Sequence, residues 1–190
     1  NPVDYINKLA ESASENVEAK KAQIIPFEFK VMEGNDTSNF IYFRAFLDSL
    51  SDNYKGDWNG TKYIGRAEDV YNYTGFSRDV SFAFKIAALS KDELEPLYKK
   101  INLLAGTTAP TYNSTGAFMR GTLTRVTIGD YLKETNGFIN SVGLSWDVAY
   151  PWEIDLEESG ALKVPHILNV DIAFTPIHNF APTTRGTYIG

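Results

Sequence analysis

Cysteine is missing from all 190 residues, which excludes disulfide staples and thiolate zinc sites. Histidine is nearly as scarce. His166 falls in phase with an apolar strand face and His178 follows Pro176, and neither has a second ligand at metal-like spacing. Both read as structural, so no metal site is expected. Basic residues are outnumbered by acidic ones, 18 to 24, for a net charge of −6. A general nucleic-acid binder ordinarily presents a basic surface, so that class is disfavoured. No apolar run approaches the roughly 20 residues a membrane-spanning helix needs. A Gly-x-Ser-x-Gly elbow, a phosphate loop and a dinucleotide fingerprint are absent as well. Nothing makes a positive case for an enzyme, and no cofactor is implied.

What is present is apolar and aromatic material, 43% and 14% of the residues, enough for a sizeable core without staples. The length suits one domain or a domain with an appendage. The chain opens on Asn1 rather than Met, as a fragment or processed product does. Asn1-Pro2 can start a helix, and Val3, Ile6, Ala10, Ala13 and Val17 follow at helical spacing. Residues 1–22 therefore read as a helical segment or extension, and residues 23–190 as a single β domain.

Within that domain the period of two dominates. Phe27, Phe29 and Val31 share a face before a turn at Glu33–Asp36. Phe40–Leu47 is apolar on both faces, as in a central strand or one covered by another subunit. Val80, Phe82, Phe84 and Ile86 alternate with Ser81, Ala83, Lys85 and Ala87. The turn-prone run Gly75–Asp79 predicts a hairpin between this strand and Asp69–Thr74, after a polar loop at Ser51–Thr61. Ser90-Lys-Asp-Glu93 is a capping box that predicts a helix over about 90–105, with Leu94, Leu97, Ile101 and Leu104 on one face. Phe118–Ile128 reads as a strand, and Asn136-Gly137 predicts a tight turn into a strand over Phe138–Tyr150. Val164–Thr175 is the last strand. The class is mainly β: a sandwich or barrel of two packed antiparallel sheets with a flanking helix. The expected core comprises Phe82, Phe84, Ile86, Trp146, Val148, Leu168, Val170, Ile172 and Phe174.

Three patterns mimic functional sites. Asp57–Glu68 places oxygen ligands at positions one, three, five and twelve of a calcium loop, but Lys62 stands where the sharp turn wants glycine, so coincidence is the better account. Asp147, Glu153, Asp155, Glu157 and Glu158 lie near Trp146 and Trp152, as in a glycosidase cleft, yet most crowd one short loop and suit a solvated turn. Sequons at Asn35, Asn59, Asn72 and Asn113 fit a chain rich in Asn and Thr. A carbohydrate-binding β-sandwich using Trp58, Trp146 and Trp152 is the rival reading from another class. It requires all three exposed on one face, whereas a structural role places Trp146 in the core.

Several stretches taken together resemble one family. They are Phe46–Tyr54, Tyr63-Ile-Gly-Arg66, Tyr71–Gly75, Arg78–Phe84, Met119–Tyr131, Pro151–Ile154 and Pro165–Phe180. In this order they resemble the tail-tube initiator proteins in the baseplates of contractile-tailed bacteriophages, over about residues 38–182. The resemblance implies the tail-tube fold and a homohexameric ring whose strands close a barrel around a channel. The ring joins the baseplate hub to the first ring of the tail tube and templates tube polymerisation. A tail tube protein or tube terminator is the alternative. It implies virion localisation after assembly in the host cytoplasm, adjacent tube and hub proteins as partners, DNA only as passing cargo, and no membrane. A channel wall that lets DNA slide should present Ser, Thr, Asn, Asp and Glu, with any Lys or Arg paired. Arg44, Arg66, Arg78 and Arg120, on or beside strands of an acidic chain, are the candidate subunit-interface residues, with local pairs such as Arg66 to Asp69 as the alternative.

Overall fold

A computed structural model describes residues 27–33, 37–43, 45–112, 118–147, 149–150, 152 and 163–189. The expected N-terminal segment 1–22 lies outside the described residues. The elements in chain order are β1 (Phe27–Glu33), β2 (Thr37–Tyr42), β3 (Ala45–Thr61), β4 (Val70–Ala87), α1 (Lys91–Gly106), β5 (Thr111–Tyr112), β6 (Met119–Arg120), β7 (Leu123–Ile128), β8 (Leu132–Ser145) and β9 (Ile167–Pro176). Among the described residues the architecture is mainly β, a sandwich with a flanking helix. Seven strands form an antiparallel sheet in the order β2-β1-β7-β8-β9-β4-β3, and β5 and β6 form a two-stranded one. No described helix is long and apolar enough to cross a membrane.

The large sheet folds over on itself. Its two edge strands, β2 and β3, are joined by only two residues, between Tyr42 and Ala45. Three Cα steps span at most about 11 Å, so the opposite edges must approach each other there. The aromatic core has the same geometry. Phe27 of β1 lies 4.7 Å from Phe84 and 6.0 Å from Phe82 of β4, although three strands separate β1 from β4 in the ladder. Phe29 and Phe43 complete the stack. Val80, Phe82, Phe84 and Ile86 of β4 and Leu168, Val170, Ile172 and Phe174 of β9 supply the facing rows, all buried, as their period predicts.

Helix α1 matches the sequence expectation closely. Leu94, Leu97, Ile101 and Leu104 are buried at spacings of three and four. Ser90 is the N-cap, but its hydroxyl makes no capping bond; Glu93 accepts the N–H of Leu89, one residue before the cap, at 2.8 Å. Lys100, fully buried, donates from Nζ to the Tyr42 carbonyl at 2.8 Å. That carbonyl sits where the chain leaves one sheet edge for the other, so a cation on the helix satisfies a backbone acceptor at the crossover.

Four expectations are corrected. Gly75–Asp79 is not a turn: it lies inside the 18-residue β4, and the hairpin partner is β3, which absorbs the expected polar loop at Ser51–Thr61. The glycine marks a bulge, since the register passes from Asp57↔Gly75 to Trp58↔Tyr73 with Thr74 left over, its hydroxyl bonded to the Asp57 carbonyl. Asn136-Gly137 is likewise inside β8, and the β7–β8 turn is Gly129–Tyr131. Gly137 is required by close approach, because a Cβ there would collide with the Thr175 carbonyl and sit 2.5 Å from the Phe174 ring. The run Phe118–Ile128 divides into β6 and β7. Trp146 is half exposed, just beyond the end of β8, rather than in the core. Val148 lies outside the described residues.

Candidate functional site

Strand alternation gives the part of the sheet formed by β8, β9, β4 and β3 an inner and an outer face. The inner face is the core. The outer face is built from short side chains in cross-strand rows: Gly143, Asp171, Ala83 and Ser49 in one, Ser141, Ala173, Ser81 and Ser51 in the next. Thr175 links neighbouring strands there, donating to Asp79 at 2.9 Å and accepting from Asn140 at 2.7 Å. A shallow, open depression follows the small residues. The charges on this face are Asp79, Asp171 and Lys85. Among the described residues Lys85 forms no ion pair.

This four-stranded section has two open edges. Beyond Gly137, β8 continues as Phe138–Ser145 paired only to β9, because the β7 ladder stops at Thr124↔Gly137. On the other side, β3 pairs only with β4. Among the described residues no strand covers either edge. Because all three intervening ladders are antiparallel, β3 and β8 run in opposite directions. One copy's β3 edge can therefore continue the sheet antiparallel against another copy's β8 edge.

Past Val80↔Phe174, where the β9 ladder ends, β3 and β4 continue alone as a two-stranded arm to Thr61↔Val70. At about 3.3 Å per residue its nine pairs reach about 30 Å. The arm is amphipathic. Tyr54, Gly56, Trp58 and Gly60 share a face with Tyr71, Tyr73, Phe76 and Arg78, and the other face carries Asn53, Lys55, Asp57, Asn59 and Asn72. The glycines leave room for rings: a Cβ at Gly56 would sit 3.4 Å from both Trp58 and Tyr73, and one at Gly60 3.2 Å from Tyr71. Trp58 packs edge-on to Tyr73 at 5.1 Å, yet Trp58, Tyr71 and Tyr73 all remain exposed.

At the root of the arm the same face is closed. Arg78 is buried and binds Asp52 through Nη2 at 2.6 Å and Nε at 3.0 Å. The hydroxyls of Tyr54 and Tyr131 both donate to Asp52 Oδ2 at 2.9 Å. Burial acts to raise the Asp52 pKa, but the bonds from Arg78, Tyr54 and Tyr131 outweigh it and hold the carboxyl below its ordinary 3.8. Burial, then the bond to Asp52, pushes the Tyr54 hydroxyl up to about 12. Period and composition gave no sign of this cluster. Its signal is the ladder itself, which sets Tyr54 opposite Arg78 and Asp52 two pairs further in, on the same face.

The four candidate arginines do not converge. Arg78 is the buried partner of Asp52. Arg66 is exposed in the turn at the arm tip and makes no ion pair among the described residues, so the local pair with Asp69 is not formed. Arg120 is exposed on β6. Arg44 lies outside the described residues. The three tryptophans are all exposed, Trp58 by 62%, Trp146 by 50% and Trp152 by 53%. They do not form one platform. Trp152 bridges to Pro165 near Trp146, whereas the row through Ser145, Asn169 and Lys85 reaches β3 at Phe46, twelve residues before Trp58, or about 40 Å of strand. No described cluster of His, Asp and Glu has the makings of a metal site. Glu153, Asp155, Glu157 and Glu158 lie outside the described residues.

No family model matches the chain, and no curated protein matches it. Among solved structures it is similar to a chain from the tail of an empty GTA particle solved with C6 symmetry, at a TM-score of 0.32 and 11% identity, covering 83% of this chain and 96% of that one. A likeness of that degree shows neither a family nor a role.

Proposed function

We propose that this chain is a non-enzymatic structural protein of a contractile phage tail, forming a hexameric ring that joins the baseplate hub to the tail tube and templates tube polymerisation. The observation that supports this reading is the four-stranded section with two open, oppositely directed edges and a smooth, small-residue outer face. A β3 edge of one copy against a β8 edge of the next is a head-to-tail contact, and such contacts close into rings when the rotation permits. Closure removes both edges, which a lone chain would present to any passing strand. The shared outer face then lines a channel whose middle rows are Ser, Gly, Ala and Asp side chains, with Phe46 and Lys85 in the row at one end and Phe138 toward the other. The copy number of six is that of the family the sequence resembles. In this reading the protein resides in the virion after assembly in the host cytoplasm, contacts the adjacent hub and tube rings, and meets DNA only as cargo.

The exposed Trp146 lies just past the open β8 edge, where a neighbouring copy would cover it. The sugar-binding reading loses its platform to the separation of Trp58 from the other two tryptophans. Electron microscopy of the purified protein tests the proposal: six-fold rings with a central hole are expected. Rings that stop at a single layer favour the initiator, and spontaneous long tubes favour a tube protein. A chain that remains monomeric at high concentration overturns the ring.

A further inference from the structure

The root of the arm is closed by the end of the chain. The segment 177–189 folds back on itself, with the Gly186 N–H on the Thr183 carbonyl at 3.0 Å and the Tyr188 hydroxyl on the same oxygen at 2.8 Å. A side chain at Gly186 would come within 2.8 Å of the Phe180 ring, so the fold-back needs glycine there. The rings so gathered lie against the arm. Tyr188 sits 5.8 Å from Tyr54 and 5.7 Å from Phe76, and His178 sits 6.0 Å from Phe76 and 5.4 Å from Tyr188. Phe180 closes the slot at 5.3 Å from His178.

His178 is the anomalous member. Its Nε2 is buried and makes no hydrogen bond. The ionisable groups around it are Arg78 from β4, Asp52 and Tyr54 from β3, Tyr131 from the β7–β8 turn and Tyr188 from its own segment. Burial first, and then the Arg78 cation, hold its pKa below the ordinary 6.5, with Asp52 pulling weakly the other way. An imidazole in an aromatic slot beside a guanidinium is accommodated as the neutral ring and opposed as the cation.

We propose that segment 177–189 is an acid-released strap on the arm, with His178 as its latch. With His178 neutral, the strap covers Tyr54 and Phe76 and fixes the arm root. Once His178 takes up a proton the slot holds an unpaired cation, the strap lifts, and the arm root is left to Asp52 with its Arg78 pair and the Tyr54 and Tyr131 hydroxyls. The depressed pKa sets the sign: the strapped state is fully favoured above about pH 6.5 and is lost as pH falls through the lower folded value. Asp52 is also depressed, from 3.8, so its bond to Arg78 survives that transition and fails only in more acid solution. The strap belongs to a single copy and does not depend on ring formation.

Amide hydrogen exchange on the full chain tests this, comparing wild type with His178→Phe and His178→Gln at each pH so that intrinsic rates cancel. At about pH 7.5 wild type and His178→Phe should protect residues 178–188 alike; at about pH 5 the wild-type strap should exchange faster than either neutral variant, with β9 amides unchanged. A proton resonance titration of His178 should show a midpoint below 6.5. Equal strap exchange in wild type and both variants at low pH overturns the proposal. So does a midpoint at or above 6.5, or loss of β9 protection in step with the strap.

Discussion

The two halves of β4 obey the same alternation and meet opposite fates. From Val80 to Ala87 the strand lies between β3 and β9, and its even positions are buried under α1 and the folded-over β1. From Val70 to Asp79 its one described ladder partner is β3, and the aromatic residues on the corresponding face are exposed at the tip and, among the described residues, covered by the chain end at the root. A period of two reports which residues share a face. It does not report whether anything lies opposite. The body half draws its stability from neighbours in the same chain. The arm half, a two-stranded ribbon, is marginal alone and depends on its root: a buried ion pair, two tyrosine hydroxyls and a strap. The arm is thus the part of the fold whose aromatic face a single copy leaves unfinished.

The comparison breaks most sharply at Phe84. Its ring is fully buried and touches Phe27, Phe29, Phe43 and Phe82 from three directions. Phe84→Ala should destabilise the fold by about 3–5 kcal/mol, the range for removing a packed ring and leaving a cavity. Urea unfolding should show a lower midpoint at unchanged slope, because the surface exposed on unfolding is nearly the same. A loss comparable to that of an arm substitution would mean the two halves of β4 are not distinct.

The body was legible in the sequence because its signals are additive. Each apolar row of β4 and β9 repeats four times, and the α1 stripe repeats over about three turns with a capping-box sequence in front. The arm was misread because its local signals compete. Gly75, Ser77 and Asp79 are turn residues by composition, and only the long ladder to β3 holds them extended. The usable signal lay in Tyr54, Gly56, Trp58 and Gly60, which alternate against Asn53, Lys55, Asp57 and Asn59 and mark a strand with rings over glycines. Trp146 was misplaced for a related reason: it continues the phase of β8 one residue past the last ladder pair, where no core remains to receive it. Neither the burial of the Arg78–Asp52 pair nor the strap over it has a periodic signature, since each joins segments far apart in the chain.

An intermediate effect is expected at Gly137, which lies on the body side of the junction. Asn136-Gly137 looks like a hairpin turn but serves to let β8 approach β9. Any side chain at 137 meets the Thr175 carbonyl and the Phe174 ring, and Phe174 is itself fully buried and cannot yield freely. Gly137→Ala should therefore destabilise by about 1–3 kcal/mol, the usual range for overpacking a core, despite the better strand propensity of alanine. Thermal unfolding of the variant measures it. A neutral or stabilising result would show that the glycine serves only a backbone preference and that the β8–β9 contact has slack.

The smallest effect, and the one that sharpens the comparison most, is expected at Tyr73. Its ring lies over Gly56 and against Trp58 on the exposed aromatic face, and it is 55% exposed. In one copy its removal deletes an edge-on ring contact and little buried surface, so Tyr73→Ala should change global stability by no more than about 0.5 kcal/mol. The arm amides should nevertheless lose protection, because Trp58 and Tyr73 form a cross-strand pair in a ribbon that has few others. Hydrogen exchange restricted to residues 53–61 and 70–76, set beside the global midpoint, separates the two responses. Faster arm exchange with an unshifted midpoint would establish the arm as an independent, low-stability unit. A midpoint shift as large as that of Gly137→Ala would instead bind the arm into the cooperative core, and the division of β4 at Val80 would have to be abandoned.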